Sequence, residues 1–285
     1  MEIIVGKSAG FCNGVNNAVR NTENLLNKFG KANCLGELVH NGDVIKKLKE
    51  KGLNIINGLE ESNEDRVIIR AHGISRDIYN QAKILNKEIF DFTCKSVLLI
   101  HEMVEKKSKD GYFIFYIGEK GHPETIGTLS FCGNNYFLIQ KNDDLECAFE
   151  KLNKSNLNKL FVIVQTTFDL NNFERIIYNI KEKTNNNIHI EVKNTICNAT
   201  RIRQEETNEI SKKVDCMIIV GGIKSSNTKK LYDISCKNCK NTFFVENKSK
   251  LNFEDVKKHS IIGIMAGAST PKESIEEIKN ILNRE

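Results

Sequence analysis

The feature that most constrains this chain is a spacing that occurs three times. Twenty-eight residues separate Cys12 from His40, Cys94 from His122, and Cys197 from Ser225. After each cysteine the apolar residues take up a helical period. They are Val15, Ala18, Val19, Leu25, Leu26 and Phe29 in the first case, and Val97, Ile100, Met103 and Val104 in the second. The third run is weaker, with Ala199, Ile202, Ile210 and Val214. Each cysteine therefore reads as the start of a helix, where unpaired backbone N–H groups and the positive end of the dipole favour a thiolate. A longer interval repeats as well: 72 residues lie between Cys94 and Thr166 and between Cys197 and Ser269, against 60 between Cys12 and His72. A triplicated unit with a shorter first copy accounts for both spacings.

Each helix leads to an apolar, β-rich run whose far end turns polar. The polar ends are Val39-His40-Asn41, Gly121-His122-Pro123-Glu124 and Lys224-Ser225-Ser226-Asn227. A second run in each unit does the same, ending at Ala71-His72-Gly73, Gln165-Thr166-Thr167 and Ala268-Ser269-Thr270. Helices are expected next, with Thr270-Pro271-Lys272-Glu273 as cap, first-turn proline and reaching glutamate. Ile89 to Phe92 and Ile188 to Val192 are further strands, immediately before Cys94 and Cys197, and Asn185-Asn186-Asn187 reads as a local turn. The third unit ends at its helix, Ile275 to Leu282, so the strand it lacks is Ile3 to Val5, which stands before Cys12 as the others stand before their cysteines. Strands alternating with helices give parallel α/β units with ligand groups at the carboxyl ends of the strands. The expected fold is α/β: three similar domains in a pseudo-threefold, three-lobed arrangement, one cysteine from each meeting at the centre. The boundaries are 13–95 (Cys12 at its start), 96–195, and 196–285 completed by strand 1–12.

Length and composition narrow the setting. At 285 residues the chain can bury a substantial core, and 40% hydrophobic with 28% charged residues is an ordinary soluble composition. No apolar run reaches the roughly 18 residues of a membrane span, and the chain opens on a strand instead of a signal peptide, so a cytoplasmic location is expected. Nine cysteines in a reducing compartment read as ligands, catalytic thiols or buried small hydrophobes before disulfides. Lysine-rich stretches such as Lys46-Lys47-Leu48-Lys49-Glu50-Lys51 mix signs at helical spacing, which fits a solvated face and not a nucleic-acid patch.

Three symmetric thiolates with no fourth equivalent cysteine suit an iron–sulfur cluster that keeps one iron open, able to act as Lewis acid and electron donor. Zinc is the alternative, since three protein ligands plus water also make a catalytic site, although three cysteines are an unusual set for it. Around this centre stand His40, His72, His122, Ser225, Ser226, Asn227, Ser269, Thr166 and Thr167, neutral or cationic donors at strand ends that suit a phosphate or diphosphate. Glu124 is the exception. A carboxylate would repel an anion it merely bound, so it is read as a proton donor.

Other residues take plainer readings. Cys34, Cys132, Cys147 and Cys216 read as small hydrophobes. Cys236 and Cys239 have the spacing of a metal clamp but no second pair. His101, His189 and His259 read as packed or surface histidines, and serines before helices are commonly caps.

The set Gly10-Phe11-Cys12-Asn13-Gly14-Val15, Val39-His40-Asn41, Ala71-His72-Gly73, Thr93-Cys94, Gly121-His122-Pro123-Glu124, Gln165-Thr166-Thr167, Thr195-Ile196-Cys197-Asn198-Ala199-Thr200, Ser225-Ser226-Asn227 and Ala266-Gly267-Ala268-Ser269, in this order, resembles the 4-hydroxy-3-methylbut-2-enyl diphosphate reductases of the non-mevalonate isoprenoid pathway. The resemblance spans nearly the whole chain. It implies a central [4Fe–4S] cluster, isolated intact or as [3Fe–4S], on Cys12, Cys94 and Cys197. It implies diphosphate binding by His40, His72, His122, Ser225, Ser226, Asn227 and Ser269, with Thr167 beside them, and a proton donor at Glu124 assisted by Thr166. The implied reaction removes an allylic hydroxyl with two electrons and two protons, giving isopentenyl and dimethylallyl diphosphates, with electrons from a ferredoxin or flavodoxin type partner. Lys95 stands where the family usually has proline, and Asn198 and Arg201 alter the run after the third cysteine. The competing readings are a zinc-dependent hydrolase of a phosphorylated small molecule and a phosphate- or nucleic-acid-binding module.

Overall fold

The computed structural model describes residues 1–184 and 187–283, so the turn expected at Asn185-Asn186 lies outside the described residues. Twelve strands form three parallel sheets of four. Their order is the same each time. With β1 (Glu2–Val5), β2 (Ala32–Leu35), β3 (Leu53–Ile56), β4 (Arg66–Ile69), β5 (Glu88–Asp91), β6 (Phe113–Ile117), β7 (Tyr136–Ile139), β8 (Lys159–Val164), β9 (His189–Lys193), β10 (Cys216–Val220), β11 (Thr242–Val245) and β12 (Ile261–Ala266), the sheets run β3-β2-β4-β5, β7-β6-β8-β9 and β11-β10-β12-β1. This is the mixed α/β class, with repeated parallel sheets, that the sequence implies.

The central strands read as unbroken apolar runs because parallel sheets are covered on both faces. Phe113, Ile114, Phe115, Tyr116 and Ile117 of β6 are all buried, and Ile114 to Ile117 lie in register with Phe161 to Val164 of β8. β1 pairs in parallel with β12, Ile3 beside Ile262 and Val5 beside Ile264. It thus takes the edge that β5 and β9 take in the other two sheets. β3, β7 and β11 add a strand to each sheet beyond those read from periodicity. Each has four residues with a partly exposed face, too short to show a period.

The chain divides into two compact units. One comprises Met1–Lys31, Glu37–Asn54 and Asn198–Glu285; the other Ala32–Gly36 and Ile55–Cys197. The first holds β1, β10, β11 and β12 with α1 (Asn13–Phe29), α2 (Gly42–Glu50), α8 (Asn198–Ser211), α9 (Ser226–Asn238), α10 (Phe253–Val256) and α11 (Lys272–Leu282). Its core joins Ile218, Val220, Ile262 and Ile264 to Ile275 and Ile278 of α11. The second holds β2, β4, β5 and β6 to β9 with α3 (Arg76–Ile84), α4 (Lys95–Lys109), α5 (Pro123–Leu129), α6 (Leu145–Lys154) and α7 (Leu170–Lys183). There Phe113, Phe115, Val162 and Val164 pack on Phe173, Ile176 and Ile180 of α7.

Two local expectations are corrected. α11 begins at Lys272 with Pro271 as its N-cap; Thr270 does not cap it, because its hydroxyl donates to Val220 O at 2.9 Å. On α8 the expected apolar stripe is not the buried face. Ile202 is 39% exposed, while Thr200, Arg203, Gln204 and Thr207 are buried beside Ile210.

Candidate active site

In each sheet the first and third strands of the unit are neighbours at the centre, the point where strand order reverses and the carboxyl ends open a crevice. All the binding and catalytic candidates follow those six central strands. His40 follows β2, His72 follows β4, His122 and Glu124 follow β6, and Thr166 and Thr167 follow β8. Ser225, Ser226 and Asn227 follow β10, and Ser269 follows β12. The cysteines come after the fourth strands: Cys94 after β5, Cys197 after β9, Cys12 after β1.

The second unit carries the acid. His122 is the N-cap of α5, and Pro123 takes the first helical position, where its missing N–H costs nothing. Glu124 stands in the first turn of this helix, one step further into regular structure than the strand-end loop expected for it. Its side chain is 1% exposed and fully paired: Thr166 N–H donates to Oε1 at 2.7 Å and Thr166 Oγ1 to Oε2 at 2.5 Å. Burial pushes its carboxyl up from 4.5 to about 7, and the two bonds from Thr166 hold it back from rising further. His122 Nδ1 accepts the Glu124 N–H at 3.2 Å, so in the neutral ring the proton sits on Nε2, a donor for an anion. The His72 ring meets that of His122 edge to face, centroids 5.5 Å apart. Gly73 behind His72 has φ of +75°, and a Cβ there would lie 3.0 Å from His101 Cε1, which fixes glycine at this turn. Gln165 ties the loops together. Its Oε1 accepts Glu119 N–H at 2.8 Å and its Nε2 donates to Thr167 Oγ1 at 2.9 Å.

The first unit carries further donors. Ser225 caps α9, its Oγ accepting Thr228 N–H at 3.3 Å, so the plain reading of this serine as a cap holds. Asn227 is 3% exposed, yet neither its Oδ1 nor its Nδ2 has a hydrogen-bond partner among the described residues. A buried amide without partners calls for a polar group to pair with it. Ser269 Oγ donates to His40 O at 3.1 Å, which joins the end of β12 to the His40 loop. Gly222 approaches the same carbonyl so closely that a Cβ would sit 2.2 Å from it. Behind His40, Nδ1 faces Glu37 Oε2 at 3.7 Å, and Glu37 pairs with Lys224 at 2.9 Å. Partial burial works to raise the Glu37 carboxyl, but Lys224 and then His40 hold it below the ordinary carboxylate value.

One hydrogen bond recurs at every candidate ligand. Cys12 N–H donates to Ala268 O, Cys94 N–H to Ala71 O, and Cys197 N–H to Thr166 O, each at 3.0 Å. Each acceptor directly precedes a binding candidate: Ser269, His72 and Thr167. Cys12 and Cys94 are the N-caps of α1 and α4, Cys197 precedes α8, and Cys12 Sγ accepts Val15 N–H at 3.5 Å. All three stand at half-buried positions, whereas Cys34, Cys132, Cys216 and Cys239 are buried and Cys147 and Cys236 exposed. Burial pushes the thiols of Cys34, Cys132 and Cys216 up to about 12, which suits inert packing. Half-buried thiols at helix starts are donors of the kind that iron–sulfur chemistry takes. Gln165 and Lys224 were legible in the sequence only as members of the polar strand ends, and Glu37 had no role there.

The LytB protein family model matches residues 3–283. The chain belongs to the LytB family. Among LytB relatives, a 4-hydroxy-3-methylbut-2-enyl diphosphate reductase of Caldanaerobacter subterraneus is 41% identical, covering 98% of this chain and 95% of its own. One from Clostridioides difficile is 37% identical over 99% of both. The structure of E-1-hydroxy-2-methyl-but-2-enyl-4-diphosphate reductase from Plasmodium falciparum superposes with a TM-score of 0.90 at 30% identity, covering 99% of this chain and 88% of that one. That of a second reductase, described as the terminal enzyme of the non-mevalonate pathway, does so at 0.70 with 35% identity and 98% coverage of both.

Proposed function

We propose that this LytB chain is a 4-hydroxy-3-methylbut-2-enyl diphosphate reductase: its allylic diphosphate substrate takes up two electrons and two protons, loses its hydroxyl as water, and leaves as isopentenyl or dimethylallyl diphosphate. The observation that carries the reading is Glu124, a buried carboxyl held by Thr166 at both oxygens and titrating near neutrality, in a family whose named members are reductases. The zinc hydrolase and the non-enzymatic module find no support among these relatives.

In this proposal Cys12, Cys94 and Cys197 would hold a [4Fe–4S] cluster, which when bound would supply electrons and a Lewis-acidic iron. His40, His72 and His122 meet the diphosphate with ring N–H groups, and Ser225, Ser226, Asn227, Ser269 and Thr167 with hydroxyl and amide groups. Hydroxide is a poor leaving group. Glu124, half-protonated near neutral pH, gives its proton to the departing oxygen, while Thr166 fixes the carboxyl and orients the substrate hydroxyl. The same reading takes the chain as three repeats, 13–95, 96–195 and 196–285 with 1–12. It expects a ferredoxin or flavodoxin type donor and a cytoplasmic setting. No helix among the described residues is long and apolar enough to cross a membrane.

Anaerobic purification tests the cofactor and the reaction together. Wild-type protein should carry iron and sulfide and convert the diphosphate with a chemical reductant. Cys12→Ser, Cys94→Ser and Cys197→Ser should each lose the cluster and nearly all turnover, and Cys236→Ser and Cys239→Ser should keep both. Loss of iron from the Cys236 variant would show that the wrong thiols were chosen.

A further inference from the structure

The three cysteine loops are anchored in two different ways. Before Cys94 and Cys197 the anchor is local. Asp91 Oδ1 accepts Thr93 N–H at 2.9 Å, and Asn194 Oδ1 accepts Ile196 N–H at 3.0 Å. In both, the residue three before the cysteine closes an Asx turn on the residue just before it. The matching position before Cys12 is Ala9, whose methyl group accepts nothing.

Helix α8 reaches this loop instead. Glu206 Oε1 accepts Lys7 N–H at 2.6 Å, and its Oε2 accepts Ser8 N–H at 2.9 Å as well as the Ser8 hydroxyl. Arg203, 5% exposed, donates from Nη2 to Gly10 O at 2.6 Å and from Nη1 to Ala199 O at 2.8 Å, so its fork joins the loop to the first turn of the helix. Gly10 has φ of +108°, a conformation that favours glycine. The polar buried face of α8, unexplained by apolar periodicity, is in part this set of contacts.

We propose that Glu206 and Arg203 are positioning residues that hold the Cys12 ligand loop in place of the Asx turn it lacks. The inference rests on the reading of Cys12 as a cluster ligand. Glu206 suits the task because an ionised carboxylate is acceptor-only: three donors converge on two oxygens, and neither oxygen carries a hydrogen to oppose them. Glutamine would turn an NH2 toward a backbone N–H, and aspartate would keep the acceptors but fall one methylene short. Arg203 complements it from the other side, donating to a carbonyl where Glu206 accepts from amides. The two together fix the amides of Lys7 and Ser8 and the carbonyl of Gly10, and the Cys12 N–H bond to Ala268 closes the loop.

The test uses cluster-free protein, in which alkylation of each cysteine by iodoacetamide is followed by mass spectrometry. In Glu206→Gln the Cys12 rate should rise about tenfold, the scale of a lost charge-assisted contact, with Cys94 and Cys197 unchanged. Asn194→Ala should raise Cys197 alone. Glu206→Asp should restore part of the protection of Cys12, and Ser8→Ala, which removes only the hydroxyl donor, should give about a threefold rise even if Glu206→Gln does not fold. In the loaded enzyme, iron should pass to a chelator several-fold faster from Glu206→Gln than from wild type. A Cys12 rate within twofold of wild type, or a rise shared equally by all three cysteines, overturns the proposal. Because alkylation needs no cluster, a wild-type protein that binds no iron defeats the reductase reading and leaves the Glu206 result to stand or fall by itself.

Discussion

The donor groups of the two units solve different problems. In the unit built on β10 and β12, Ser269 is tied to the His40 carbonyl, Ser225 caps α9, and Asn227 presents a buried amide with no partner among the described residues. In the unit built on β6 and β8, Glu124 spends both its oxygens on Thr166 and shifts toward neutrality. One set can bind an anion without moving a proton. The other keeps a proton available close to physiological pH. In the proposed reading affinity and turnover are separable, so substitutions should divide into those that change KM and those that change kcat.

The largest expected effect is on the proton side. Glu124→Gln keeps the shape and lets both Thr166 groups find partners, so cluster content and KM should stay within a few-fold of wild type while kcat falls at least about a hundredfold. A variant that kept its kcat would place the proton source elsewhere and dissolve the contrast. On the binding side, Asn227→Ala should raise KM by roughly tenfold or more, from the loss of charge-assisted bonds to the diphosphate, and change kcat little. Equal falls in kcat and kcat/KM would merge the two sets into one.

The pH dependence of stability sharpens the comparison further. The Glu124 carboxyl titrates at about 7 in the folded protein against 4.5 ordinarily, so the folded state holds its proton longer. That contribution is fully present below about pH 4.5 and is lost as pH rises through about 7. Wild type should therefore lose up to about 3 kcal/mol relative to Glu124→Gln between pH 5 and pH 8 in denaturant titrations. A constant difference across that range would mean that the carboxyl is not buried as an acid. The smallest effect belongs to Ser269→Ala, which removes one bond to the His40 carbonyl: about 1 kcal/mol of stability and a few-fold rise in KM, read from the same assays.

Much of this was legible in the sequence because parallel strands buried on both faces leave unbroken apolar runs, and their polar ends mark the crevice. His72, Thr166 and Asn227 stand out at those ends, and the lone acid Glu124 stands out by charge. The change to a helical period after each cysteine marked its helix-start position. What escaped did so for physical reasons. The four-residue strands β3, β7 and β11 are shorter than a measurable period. Gly222 is required by a backbone approach to His40 that no neighbour in sequence announces. Ile202 was placed on the wrong face of α8 because apolar periodicity assumes an apolar interior, whereas Arg203 and Gln204 are buried there. Pro271 displaced the expected cap because Thr270 found a carbonyl partner across the sheet.

The pairing of β1 with β12 has a consequence in time. The strand that emerges first from the ribosome acquires its neighbour only when the stretch from Ile261 to Ala266 has been made. At about 5–20 residues per second this is a wait of many seconds. Throughout it, Cys12 follows an unpaired edge, and its amide cannot reach Ala268. The Cys94 and Cys197 loops, by contrast, take their acceptors from segments already synthesised when each cysteine appears. Maturation is thereby ordered by the genetic direction of the chain: the Cys94 and Cys197 loops can be set before β12 is made, and Cys12, translated before both, is placed last.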